Sequence, residues 1–337
     1  MDAEQIKKKK QEIVDRFGPW TAHCIHLANG VYTFDHAEVD PRLRRMLQIC
    51  SDIVLKPLNN TRVLDLACLE GHFGIEFAMH GCDVLALEGR ESNLAKARFV
   101  KELLGLNNLV LACEDVRNLD ESRHGYFDVV LCLGILYHLD TPDVMKFIEK
   151  ISQVCTRVAI IDTHLSLCGE ESYTWRGTAY WGTYGVEHDA SATAEQKASK
   201  VWYSLDNTKS FKFTRPSLCN LLRHVGFTSV YECLNPYEYA NPRWPLAAED
   251  DRHVIMKDRI TLVAVKGTNE TLLSSPVTQA SPEIDRPEKS EYWEDSGMPI
   301  VSQTPIKKSL WSSTVKFMPK ALKRAFRKVI VGRAGRS

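Results

Sequence analysis

"VLDLACLEGHFG", residues 63–74, is an apolar run with an acid in its middle and two glycines at its end. "RVLDLAC" reads as a β-strand carrying Asp65, and "GHFGIEFAMH" as the helix that follows, closed by Gly81. Between them the chain turns through Ala67, Leu69 and Gly71. A phosphate-binding strand–turn–helix would carry glycine at the first two of those positions as well.

Outward from this stretch, strand and helix signals alternate. "DVLALE" (83–88), "NLVLAC" (108–113), "FDVVLCLGIL" (127–136) and "TRVAIID" (156–162) are short apolar runs rich in β-branched residues. "ESNLAKARFVKELLG" (91–105) and "TPDVMKFIEKISQV" (141–154) between them read as helices. Such alternation predicts a doubly wound α/β domain, with a parallel sheet covered on both faces. It stops at Asp162. Residues 163–212 are polar, aromatic and weakly periodic, and are predicted to form an inserted lid. Regular pattern resumes with "RPSLCNLLRHVGF" as helix, then "TSVYECL" and "DRITLVAVKG" as strands.

Upstream, residues 1–17 read as a charged helix, an aromatic loop follows, and residues 41–57 form an amphipathic helix opened by Pro41. The predicted organisation is an N-terminal helical cap (1–57), a main domain (58–268) and a flexible linker (269–306) rich in Ser, Thr, Pro and Glu. A basic amphipathic tail (307–337) closes the chain, with Leu322, Phe326 and Val329/Ile330 on one helical face. No internal repeat is present.

At 337 residues, 44% hydrophobic and 26% charged, the chain has the composition of a globular protein with a full-sized core. Its formal net charge is zero, which argues neither for nor against nucleic acid. The charge is uneven, because residues 307–336 hold ten Lys or Arg and no acid. That segment fits an interfacial helix on an anionic membrane or a merely solvated face, with phosphate contact to nucleic acid ranked behind. Ten cysteines without a CxxC pair predict no zinc site, and their place in apolar runs suggests a reducing compartment. With no signal core and no apolar run near about 18 residues, the expected location is cytoplasmic, or membrane-peripheral through the tail.

The acid in the first strand bears on the ligand. Asp65 would repel a pyrophosphate at close range, whereas a ligand with an ammonium and a sulfonium would be attracted. That charge pattern is S-adenosylmethionine's. Glu88, ending the second strand, can accept hydrogen bonds from both ribose hydroxyls. Asp115, after the third, is placed for an adenine amino group, and "LCLGILYHLDTP" ends the fourth at the edge where open α/β sheets bind ligands.

Residues 55–267 resemble a class I S-adenosylmethionine-dependent methyltransferase. The resemblance implies a Rossmann-like seven-stranded sheet whose last strand is antiparallel. It places Asp65, Ala67, Leu69, Gly71, Glu88, Gly89, Asp115, Val116, Cys132 and Leu133 against the cofactor. A narrower likeness lies in "GILYHLDTP", "SLDNTKSFKFTRPSLCNLLRHVGF" and "PWTAHCIHLANGVYT". These segments resemble the branch that holds the tRNA wobble-uridine carboxymethyltransferases and related bacterial small-molecule and saccharide methyltransferases. In the carboxymethyl enzymes an arginine follows the Tyr-His pair. Here Tyr137-His138 is followed by Leu139-Asp140, which argues against a carboxylated cofactor.

O-methylation of a small molecule, such as a saccharide or secondary metabolite, is therefore the expected activity. The alternatives are tRNA wobble-uridine modification and a non-catalytic cofactor-binding regulator. His138 and His188 are the candidate general bases, since histidine accepts a proton near neutrality. Either could instead be structural. Trp20, Tyr32, Tyr137 and Tyr184 are candidates for lining a substrate chamber, although aromatic packing between lid and domain explains such residues equally. Arg215 could bind an anionic substrate or cap its helix.

Overall fold

Local capping chemistry starts the chain. In the computed structural model, which describes residues 1–37, 40–233 and 258–267, Asp2 and Gln5 form a capping box that opens helix α1 (Ala3–Phe17). A short hairpin, β1 (His26–Ala28) and β2 (Val31–Tyr32), follows. Helix α2 (Pro41–Val54) has proline at its first position, where the missing N–H costs nothing, and Asp40 accepts from Arg42 N–H.

The main domain is the predicted alternation. Its first half is β3 (Arg62–Leu66), α3 (His72–Met79), β4 (Asp83–Glu88), α4 (Glu91–Leu104) and β5 (Leu109–Cys113). Its second half is α5 (Glu121–His124), β6 (Phe127–Leu133), α6 (Asp143–Val154) and β7 (Cys155–His164). After the insertion, with β8 (Glu171–Trp175), β9 (Thr178–Val186), α7 (Ala194–Ser199) and β10 (Lys209–Phe213), come α8 (Arg215–His224), β11 (Ser229–Cys233) and β12 (Arg259–Val265).

Seven strands make one sheet in the order β11-β12-β7-β6-β3-β4-β5. The last strand, β12, runs antiparallel to both its neighbours, and β3 to β7 pair in parallel. Strand order reverses on either side of β3, so α3 and α4 cover one face while α6 packs on the other. Val63 and Val129 belong to one buried cluster and Leu64 and Val130 to the other, which explains why these strands are apolar throughout rather than alternating. The crevice where the order reverses, between the carboxyl ends of β3 and β6, is where such sheets bind ligands.

The insertion is more regular than its sequence suggests. β8, β9 and β10 form a three-stranded antiparallel sheet, with Tyr184 opposite Phe211. Arg176 and Gly177 are the two residues between β8 and β9, and both have left-handed φ (50° and 84°), as a tight hairpin turn of matching twist requires. Tyr180, Phe211 and Phe213 join the main core. The expectations for the linker 269–306 and the tail 307–337 lie outside the described residues.

Candidate functional site

The turn after β3 is built as a glycine turn with only one glycine. Ala67, Leu69 and Gly71 all have positive φ (54°, 50° and 83°). Left-handed backbone is unfavourable for alanine and leucine, and such strain concentrates at ligand sites. Asp65 explains what holds the turn: its Oδ2 accepts the Gly74 N–H of α3 at 2.8 Å. The residue is only 2% exposed. Burial pushes its carboxyl up to about 7, with the nearby Glu88 adding to the effect.

Glu88 closes the other side of the turn. It accepts from the backbone N–H of Leu69 (3.0 Å) and of Arg90 (2.8 Å), and from the side chain of Asn93 (3.4 Å). Burial raises its pKa as well. Two buried acids thus flank the turn: Asp65 meets only a backbone donor, whereas the Arg90 charge works against the burial of Glu88. A cationic ligand that also offers hydroxyl donors fits that environment.

Glu70, within the turn, carries a contact that sequence reading missed. It is fully buried and accepts from Thr21 N–H (2.7 Å), Ala22 N–H (3.2 Å) and Lys96 Nζ (3.1 Å). Lys96 also donates to the Pro19 carbonyl at 2.6 Å. The N-terminal cap is thereby fastened to the strained turn.

Several predicted positions are corrected. Trp20 is buried with its ring 6.1 Å from Phe99 of α4, so it packs the cap rather than lining a chamber. Tyr32 lies in the β1–β2 hairpin against His26. Asp115 does not present a free carboxylate to an adenine: Arg117 engages both its oxygens, at 2.5–3.1 Å. Val116 is buried beside it. Cys132 points into the core, where burial pushes its thiol far up, and Leu133 packs against the opposite cluster. Arg215 pairs with Glu232 at 2.9 Å, and Thr214 is the cap of its helix.

Gly89 is close against the insertion. A Cβ there would lie 2.5 Å from Leu205 Cδ1. Arg90 donates to the carbonyls of Lys200, Tyr203 and Ser204 at 2.9–3.1 Å, and Arg117 reaches Asp206 (2.8 Å) and Asn207 (3.2 Å). A cavity of about 530 Å³ lies here, lined by Gly89, Arg90, Ser92, Lys197, Leu205 and Asp206. The segment after β9 therefore closes over the far end of the crevice.

His138 stands at the near end, in the single turn of 3-10 helix (Leu136–His138) after β6. Its Nδ1 lies 2.9 Å from Glu187 Oε2 and 3.1 Å from Oε1. Its Nε2 has no hydrogen-bond partner among the described residues. The Tyr137 ring lies 4.3 Å from it, tilted by 46°, and the Tyr137 hydroxyl and Arg259 Nη2 both lie over Gly134. Tyr184 bonds Thr141 through its hydroxyl at 2.8 Å. His188 is buried, with Nε2 2.8 Å from the Ser204 carbonyl, so the backbone of the insertion holds that nitrogen as a donor, while its Nδ1 has no hydrogen-bond partner among the described residues. Among the described residues, no group of three or more His, Cys, Asp or Glu could hold a metal ion. None of the described helices is long and apolar enough to cross a membrane.

This sheet order, with its antiparallel last strand, and this acid-flanked turn are those expected of a class I S-adenosylmethionine-dependent methyltransferase domain. Residues 63–157, from β3 to the start of β7, match the family described as "Methyltransferase domain". The chain is 28% identical over 145 residues to a tRNA U34 carboxymethyltransferase of Vibrio cholerae, covering 42% of each protein. It is 29% identical over 85 residues to a ubiquinone biosynthesis O-methyltransferase of Acinetobacter baumannii, covering 25% of this chain and 36% of that one. Both matches thus span less than half of the relative's length. In fold it resembles the N-terminal domain of EvdMO1, solved in the presence of S-adenosylhomocysteine and D-fucose. The TM-score is 0.57 and identity 24%, over 79% of this chain and 98% of that domain.

Proposed function

We propose that the protein transfers a methyl group from S-adenosylmethionine to a hydroxyl of a small molecule, with a saccharide as the favoured class. When bound, S-adenosylmethionine supplies a methyl group on a sulfonium, whose departure leaves its electron pair on sulfur as a neutral thioether. Asp65 and Glu88 hold the ammonium and ribose ends from the floor of the crevice. Gly89 and Leu205 confine the adenine end. His138 Nε2 takes the acceptor's hydroxyl proton and releases it to solvent. The observation that carries the reading is the buried Asp65–Glu88 couple at the switch point, with His138 one strand away.

A second reading, uridine modification in tRNA with a carboxylated cofactor, is favoured by the name of the V. cholerae relative and by Arg259 beside Tyr137. Against it, Asp162 engages Arg259 through two nitrogens, at 2.9 and 2.5 Å, and so cancels its charge. Tyr137-His138, in addition, is followed by Leu139-Asp140 and not by the arginine of the carboxymethyl enzymes. Partners in solution and any role of the tail at a membrane belong to neither reading.

Calorimetric titration separates the readings. S-adenosylmethionine and S-adenosylhomocysteine are expected to bind at micromolar Kd, with loss in Asp65→Ala and Glu88→Ala. Preference for the carboxylated analogue would favour the tRNA reading, and binding of NAD alone would overturn both. With the cofactor established, D-fucose, simple glycosides and phenols are the first acceptors to assay by S-adenosylhomocysteine release.

A further inference from the structure

His138 is gripped by the insertion at two points. Its ring Nδ1 meets Glu187, the first residue after β9, and its backbone carbonyl accepts from Asn207 Nδ2 at 3.1 Å. Glu187 is itself fixed. Its side chain accepts the Ser204 N–H at 2.8 Å, and its own N–H donates to the Thr208 carbonyl at 2.9 Å. Burial opposes ionisation of this carboxyl, yet hydrogen bonds from His138 and Ser204 outweigh it and hold the group below its ordinary value. A buried carboxylate that accepts from an imidazole N–H on one side and a backbone N–H on the other is held ionised.

Resting on the methyltransferase reading above, we infer that Glu187 is a positioning residue, delivered by the inserted lid, that holds His138 with its proton on Nδ1 and so leaves Nε2 as the proton acceptor. A neutral imidazole has one donor and one acceptor nitrogen, and the partner of the first decides which is which. An ionised carboxylate can only accept, so Nδ1 must carry the proton. Once Nε2 gains a second proton, the same carboxylate faces an imidazolium and stabilises it.

The placement also makes the arrangement conditional on closure. Glu187, Ser204 and Asn207 lie on the segment that carries Leu205 over Gly89 and is held by Arg90 and Arg117. The segment that confines the adenine end therefore also orients the base. Other charged or titratable groups around His138 are already engaged. Lys209 of β10 faces Asp140 (3.9 Å) and the Tyr184 ring (4.2 Å), and His164 of β7 pairs with Asp258 (3.1 Å) while its ring meets Tyr137. Asp162 of β7 is held by Arg259. Lys212 lies three residues farther along β10.

The test needs no turnover. Nitrogen-15 NMR of the histidine rings in the full-length, ligand-free protein, with His138 assigned by its loss in His138→Gln, reports which ring nitrogen is protonated. The expected result is Nδ1–H in the neutral form. In Glu187→Ala the carboxylate that fixes the tautomer is gone, and the preference for Nδ1–H is expected to be lost. Once an acceptor is known, kcat is expected to fall roughly 10–100-fold in Glu187→Gln with KM for the cofactor nearly unchanged. An Nε2–H tautomer in the unaltered protein, or an Nδ1–H tautomer unchanged in Glu187→Ala, would overturn the inference. Because the tautomer is read without cofactor or acceptor, a failed acceptor search bears on the methyl-transfer reading and leaves this result independent.

Discussion

Asp65 is a buried carboxyl with one backbone donor and no cation. A raised carboxyl pKa means that the folded state binds a proton the unfolded state has already lost. Its stabilising contribution is thus complete below pH 3.8 and declines as pH rises towards about 7. Asp65→Asn removes that dependence while keeping an acceptor for Gly74. Urea denaturation of the ligand-free protein is therefore expected to show the variant more stable at pH 8, by about 2–4 kcal/mol, and nearly equal at pH 4. Equal stability at both pH values would show that the carboxyl titrates normally. Asp65 and Glu88 stand out in the sequence because each is an acid near the end of an apolar strand, a purely local signal. Asp115 carries the same signal, and the sequence does not show that Arg117, two residues on, pairs with its carboxylate.

At the scale of elements, the lid depends on a few directed contacts. Arg90 donates to three carbonyls of the 200–204 segment, and hydrogen bonds from a charged donor are worth about 1.5–3 kcal/mol each. Arg90→Ala should speed amide exchange across residues 200–205 by about tenfold or more, while the urea midpoint of the whole domain changes little. Unchanged exchange would mean that Leu205 packing alone holds the segment. The strands of the insertion escaped sequence reading although the Arg176-Gly177 turn was present to signal them. The inward residues of β9, Tyr180 and Gly182, are too unlike in size to register as an alternating face. Gly182 is small because the Lys212 carbonyl passes directly against it, a fact of neighbouring backbone.

Across the whole molecule, the cap and the sheet are joined through the Glu70–Lys96 pair. Both members are buried, so removing one leaves the other's charge without compensation. Lys96→Met is expected to lower stability by about 3 kcal/mol and to free residues 19–22 to protease, read by urea denaturation and limited proteolysis. A change under about 1 kcal/mol would mean that the Thr21 and Ala22 amides suffice to satisfy Glu70.

The amino-acid sequence alone determined the alternating strands and helices and the place of the acids Asp65 and Glu88 at strand ends. These follow from apolar runs a few residues long and from the geometry any parallel sheet imposes on its carboxyl edge. Tertiary structure decided which groups remain available to a ligand. Glu187 reaches His138 from 49 residues away and Glu70 reaches Thr21 from 49, while Arg90 meets the lid from 110 to 114. Hydrogen bonds and ion pairs are set by distance in space, and over such separations no local periodicity records which side chains meet.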